Sequence, residues 1–165
     1  MSQENPDELL ARTIAFVNEH LQTYLSSGGT RGHIMDMSHV GVPYPLPTLL
    51  LQTRGRHSGQ ARTVPLIYGC VGGEWVVIAS KGGAPEHPAW YLNLAAEPQV
   101  VFQVGTQAFS GTARVAEGEE RAWLWDYMQR HYPPYRDYQV SAGARSIPVV
   151  LLRAEHEAPV LGAAD

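Results

Sequence analysis

A stretch with no carboxylates runs through the middle of an otherwise acidic chain. Residues 49–66 read LLLQTRGRHSGQARTVPL and gather Arg54, Arg56, His57 and Arg62 about a turn containing Gly55, Ser58 and Gly59. No Asp or Glu falls between Met37 and Gly73, although the 165 residues carry a formal net charge of −4. The chemistry such a turn suits is anion binding. Glycine lets backbone N–H groups approach an anion, and the guanidinium fork matches phosphate or carboxylate oxygens. Arg56, His57 and Ser58 can donate to such oxygens, and Arg62 on the next strand can close over them. A solvated hairpin carrying scattered arginines is the plainer alternative, and the segment alone leaves both open.

Two further groups of residues have chemical potential. Ala79-Ser80-Lys81-Gly82-Gly83 ends an apolar run and offers a hydroxyl and an ammonium beside a backbone that a flat ligand can approach. HPAWYLNL follows closely. There Pro88 suits the start of a helix whose first N–H groups favour anions, Trp90 and Tyr91 supply aromatic faces, and Asn93 an amide. Tyr132, Tyr135 and Tyr138, spaced by three in HYPPYRDYQ, put their hydroxyls on one side of a turn or short helix. Three tyrosines can line a pocket for a planar, partly polar substrate and donate a proton. They can equally be aromatics that seal the edge of a core.

The elements that must position these groups are mostly strands. Hydrophobic runs at 48–53, 62–69, 74–80, 99–104, 107–116 and 147–153 alternate with turn residues, and Gly72-Gly73 and Gly105-Thr106 suit two-residue hairpins. Ahead of them Asn5, Pro6 and Glu8 mark a helix start, and Leu10, Ile14, Val17, Leu21 and Tyr24 form a stripe expected to face the core before Gly28-Gly29 stops it. Short helices are expected over 88–96 and 119–130, the second halted by Pro133-Pro134. The expected fold is mainly β (α+β): a closed or nearly closed barrel of about six antiparallel strands with an N-terminal helix and short peripheral helices. The expected layout is one domain over 1–165. A helix occupies 1–29, a loop that folds over the pocket 30–47, the barrel core 48–153 and a flexible tail 154–165.

Composition narrows the function. With 44% hydrophobic and 17% charged residues the chain has the make-up of a compact domain. A mild negative charge argues against nucleic acid, which demands a broad basic face. No apolar run is long enough for a bilayer span, so any membrane association is peripheral at most. The single Cys70 is expected as a packed core thiol and, with no leader segment recognisable, points to a reducing cytoplasm. His33 and His39 match no metal-ligand spacing, and no metal is expected.

Three motifs in order, TRGRHSGQARTVPL, ASKGGAPEHPAWYLNL and HYPPYRDYQ followed by RSIPVV, carry a resemblance over about two-thirds of the chain. The chain resembles the deazaflavin-dependent nitroreductase family, split β-barrel oxidoreductases of actinobacteria that use coenzyme F420. The resemblance implies that Arg54, Gly55, Arg56, His57, Ser58 and Arg62 hold the phosphate and acidic tail of the cofactor. It implies that Ser80, Lys81, Trp90, Tyr91 and Asn93 border the deazaflavin rings, with Thr63, Val64, Ile67, Ile78, Ala79 and Ala89 completing the cofactor-binding set. Tyr132 would lie near the substrate with Tyr135 and Tyr138, and Tyr132, Ser80 or water would protonate the product. His57 stands where a lysine is common, making the grip on the tail pH-dependent. Ile67 stands where a tyrosine can occur, which removes a hydroxyl from the pocket. The implied activity is hydride transfer from reduced F420 to a small electron-poor acceptor, such as a quinone, an enone or a nitroaromatic, by a monomer or homodimer. The alternatives are an FMN-binding split-barrel oxidoreductase and a non-catalytic F420 carrier.

Overall fold

A computed structural model describes residues 5–162. Helix α1 (Pro6–Ser26) starts as the sequence predicts: the Asn5 side chain accepts from the Asp7 N–H at 3.0 Å and proline occupies the first turn. Its stripe does not face the core. Leu10 is 60% exposed, Ile14 52% and Val17 41%; of the five stripe residues only Tyr24 is buried. Periodicity shows which residues share a face but not what that face meets, and the first turns of α1 run past the sheet. The Tyr24 hydroxyl anchors the end that does dock. It donates to the Thr48 carbonyl at 2.9 Å and accepts from the Gly105 N–H at 2.8 Å, and burial pushes its pKa up to about 12.

Eight antiparallel strands form one curled sheet, a split half-barrel, rather than the expected six. The strands are β1 (Ile34–Met35), β2 (Leu46–Arg54), β3 (Ala61–Ile67), β4 (Gly69–Val71), β5 (Glu74–Ile78), β6 (Gln99–Val104), β7 (Gln107–Val115) and β8 (Val149–Ala158). Their order is β1-β2-β6-β7-β8-β5-β4, with β3 paired to β2 alone. The two additions are short. β1 comes from the expected loop 30–47, where Ile34 and Met35 pair with Pro47 and Leu46. β4 begins at Gly69, where the expected run 62–69 ends: pairing with β2 stops at Thr48↔Ile67 and the chain crosses to β5. The predicted turn at Gly72-Gly73 closes the β4–β5 hairpin with both glycines left-handed, φ +61° and +80°.

Two other expectations are corrected. Cys70 lies on the short β4 hairpin and is exposed, not packed in the core. The expected tail from residue 154 is strand as far as Ala158, because β7 supplies hydrogen-bonding partners out to Ala108↔Ala158. Residues 163–165 lie outside the described residues.

The remaining helices are α2 (Ala89–Ala96), α3 (Gly118–His131) and α4 (Pro134–Ala142). Pro133-Pro134 ends α3 as predicted, yet it also begins α4, because proline suits a first helical turn. Alternation along β5 divides the core. Val77 and Ala79 face a cluster with Leu49, Leu51, Phe102 and Trp90, while Val76 and Ile78 face one with Met128, Tyr132, Tyr135 and Ile147. Among the described residues no helix is long and apolar enough to cross a membrane.

Candidate functional site

The basic turn follows β2 and is tied to α2 by one side chain. Asn93, 4% exposed, accepts through Oδ1 from the Arg56 N–H at 3.2 Å and from Arg56 Nη1 at 3.0 Å; its Nδ2 donates to Thr53 Oγ1 at 3.2 Å. The first two sequence groups are therefore one structure. Within the turn the Gly55 N–H donates to the Gln60 carbonyl at 2.7 Å and the Gln60 N–H to Ser58 Oγ at 3.1 Å. Asn93→Ala leaves Arg56 and Thr53 short of partners, so we expect a stability loss of about 1–3 kcal/mol, read as a lower urea midpoint at unchanged slope.

Strand register sorts the arginines. Arg62 lies opposite Thr53, and Val64 opposite Leu51, so these side chains share the face toward α2. Arg54 and Thr63 fall on the other face. There Arg54 lines a shallow groove of about 340 Å³ with Gly59, Ala61, Gln99 and Ser110, and Thr63 Oγ1 accepts from Gln52 Nε2 at 3.3 Å. Arg54, His57 and Arg62 make no hydrogen bond or ion pair among the described residues. Free guanidinium groups in an acidic protein fit an anionic cofactor tail: its charge meets donors that need not be taken from another partner.

From this turn β3 runs six intervals of about 3.3 Å, roughly 20 Å, and has no strand on its outer side. Val64 and Tyr91 pack against the cluster that holds Ala79 and Trp90, whereas Ile67 at the far end packs, with Tyr138, against the cluster that holds Ile78, Tyr132 and Tyr135. The structure thus joins Arg56, Arg62, Val64, Ala79, Trp90, Tyr91 and Asn93 on one side. It joins Ile67, Ile78, Tyr132, Tyr135 and Tyr138 on the other.

The Ser80-Lys81-Gly82-Gly83 turn links the two. Lys81 is the one non-glycine described at positive φ, +47°, and its Nζ pairs with Glu86 Oε1 at 3.0 Å. Gly83 (φ +86°) abuts α4 so closely that a Cβ would stand 2.8 Å from the Tyr138 backbone. Ser80 is half-buried and its hydroxyl has no partner among the described residues, and Ala89 is exposed at the first turn of α2.

Tyr132 and Tyr135 are each 4% exposed, and the Tyr132 and Tyr138 hydroxyls lie 3.1 Å apart. Burial, with the Tyr138 hydroxyl beside it, pushes the Tyr132 pKa up well beyond the ordinary phenol range, and burial does the same to Tyr135. Both keep their protons and can donate hydrogen bonds at any working pH. Met37 and Val42, from the segment expected to cover the pocket, pack in the same cluster as these rings.

Sequence reasoning missed His33, Tyr68 and Arg145. His33 Nε2 and the Tyr68 hydroxyl are 2.8 Å apart with their rings stacked. Arg145 was legible only as the first letter of RSIPVV. Its guanidinium contacts Ala79, Ser80, Ala84 and His87. Among the described residues no group of His, Cys, Asp and Glu is placed to hold a metal.

Burial lowers the pKa of His33, of His87 (aided by the Arg145 charge) and of His131, whose buried Nε2 has no partner among the described residues. A histidine depressed in the folded state binds fewer protons there than when unfolded, so stability is full above the ordinary value of 6.5 and falls as pH drops through the folded values. Urea midpoints measured on the acid side of neutrality should decline steadily with pH; a flat profile there excludes the three histidines as the cause.

A curled antiparallel sheet with an open edge strand is the architecture of a split-barrel protein. The family model for F420H(2)-dependent quinone reductases matches residues 17–154. The chain belongs to that family and is an F420H2-dependent oxidoreductase, with coenzyme F420 as its cofactor. It is 37% identical over 136 residues to an F420H(2)-dependent quinone reductase of Mycobacterium tuberculosis, covering 81% of this chain and 86% of that one. Among solved structures, an F420-H2 dependent reductase (FDR-A) is 42% identical with a TM-score of 0.60, covering 65% of this chain and 94% of that one. Another, described as a domain-swapped dimer, is 38% identical with a TM-score of 0.62, covering 86% and 99%.

Proposed function

We propose that this chain reduces a quinone-class acceptor with F420H2, the cofactor lying along β3 with its acidic tail at the basic turn and its rings beside Ser80 and Lys81. Arg56, His57, Ser58 and Arg62 grip the tail, with Arg54 at the root of the turn. Val64, Ala79, Trp90, Tyr91 and Asn93 set the position of the rings. The bound cofactor supplies the hydride. Tyr132 donates the proton that completes acceptor reduction and is resupplied through Tyr138, which is half-buried and nearer solvent.

The observation that carries this reading is the placing of unpaired guanidinium groups and hydrogen-bonded phenols at opposite ends of one open strand. A long ligand with an anionic end and a reactive planar end needs that separation. Anaerobic mixing of protein, F420H2 and a quinone should oxidise the cofactor faster than a protein-free control. Tight binding without turnover across quinones, enones and nitroaromatics would leave a carrier instead.

The 38%-identical relative described as a domain-swapped dimer supports a homodimer here. The exposed Leu10, Ile14 and Val17 stripe of α1 is the surface a second copy would cover. Light scattering of the full chain and of a Leu10→Ser/Ile14→Ser variant tests it: a monomer in both refutes the dimer. A soluble homodimer with a small-molecule acceptor is consistent with work in the cytoplasm.

A further inference from the structure

We propose that Arg145 is a positioning residue that sets the conformation of the Ala79–Ala84 turn, and with it the pose of Ser80 and Lys81 toward the ligand. Its five N–H donors are all engaged. Nε donates to the Ala84 carbonyl at 3.0 Å and Nη2 to the same oxygen at 2.8 Å. Nη2 also donates to the Ser80 carbonyl at 2.8 Å, and Nη1 donates to the Ala79 carbonyl at 3.0 Å and to His87 Nδ1 at 3.2 Å. No carboxylate pairs with it among the described residues.

One guanidinium therefore gathers three carbonyls from a six-residue turn that is also closed by backbone bonds from the Gly83 N–H to the Ser80 carbonyl at 2.9 Å and from the Ala84 N–H to the Lys81 carbonyl at 3.1 Å. The strained residue of this turn is Lys81. Ser80 is right-handed (φ −78°, ψ −37°) and Lys81 left-handed (φ +47°), a sequence of conformations that aims successive N–H groups to one side. In a trans peptide the N–H points opposite the preceding carbonyl. With the Ala79 and Ser80 carbonyls held on Arg145, the N–H groups of Ser80 and Lys81 face away from it. Neither has an acceptor among the described residues.

Arg145 is itself held by α4, the helix that carries Tyr135 and Tyr138. Gln139 of α4 donates through Nε2 to the Arg145 carbonyl at 2.8 Å and accepts from the Ile147 N–H at 3.0 Å. The chain of contacts runs from α4 through Gln139 and Arg145 to Ser80 and Lys81. It ties Tyr138, and through its hydroxyl Tyr132, to the ring-side turn. This consequence for turnover rests on the cofactor placement proposed above; the effect on the turn does not.

The test exploits Lys81 being the only lysine in the chain. Acetylation of Lys81 in ligand-free protein, read by peptide mass spectrometry, should rise severalfold in Arg145→Ala and return toward the parent rate with millimolar methylguanidinium. Arg145→Lys, with three donors and no planar fork, should restore only part of it and stands in if the alanine variant does not fold. In turnover, kcat should fall about a hundredfold, as for a misplaced reacting pair, while the cofactor dissociation constant changes little because the tail grip is untouched. Labelling that shifts without a change in kcat upholds the role of Arg145 and overturns the ring placement. Unchanged labelling in a folded variant, or no response to methylguanidinium, overturns the inference.

Discussion

Replacing Arg62 by alanine weakens F420 binding tenfold or more and leaves the fold intact. Arg62 has no partner within the described protein, so its removal strands no buried group and costs no internal hydrogen bond. A charge-assisted bond to the cofactor tail is worth about 1.5–3 kcal/mol, which is one to two factors of ten in affinity. Arg54→Ala should have a smaller effect, because strand alternation sends that side chain to the opposite face. Titration by tryptophan fluorescence gives both dissociation constants, and thermal unfolding checks the fold. Added salt should weaken the parent more than Arg62→Ala, since the lost contact is a screened, solvent-accessible one. An Arg62→Ala protein with the parent's affinity would put the tail elsewhere.

Tyr132→Phe should lower kcat about a hundredfold, the span expected for loss of a positioned general acid. The ring stays, so packing with Met128, Ile147 and Tyr135 is kept and cofactor affinity holds. The parent should show no alkaline loss of rate from this phenol, because burial keeps its proton bound well past the ordinary range. Tyr138→Phe should fall less, since solvent can resupply the proton that Tyr138 relays. Single-turnover oxidation of bound F420H2 by a quinone, with the variants in parallel, reads the step directly. Full activity in Tyr132→Phe would assign the proton to Ser80 or water.

Much of this site is legible in the sequence because its signals are local. A carboxylate-free turn, two glycines after Ser80-Lys81 and tyrosines three apart each state a chemistry within a few residues. Their common order in the F420-dependent family joins them before any fold is known. The N-cap at Asn5, the Gly72-Gly73 hairpin and the stop at Pro133-Pro134 are equally local, being rules of one helix end or one turn.

What the residues alone determined, then, was the kind of chemistry and the elements that carry it. Which face each side chain takes was decided by pairing between strands far apart in the chain. Thr53↔Arg62 places Arg62 toward α2 and Arg54 away from it, and a slip of β3 by one residue would turn Arg62 away as well. Likewise, a stripe on α1 gives a face but not its neighbour, so Leu10, Ile14 and Val17 stay exposed while Tyr24 is locked under β2. Arg145, 61 residues from the carbonyl of Ala84 that it binds twice, acquires a role only when β8 and β5 bring those segments together. Long-range contacts of this kind leave no periodic trace, since one hydrogen-bonding side chain satisfies them wherever the fold delivers it.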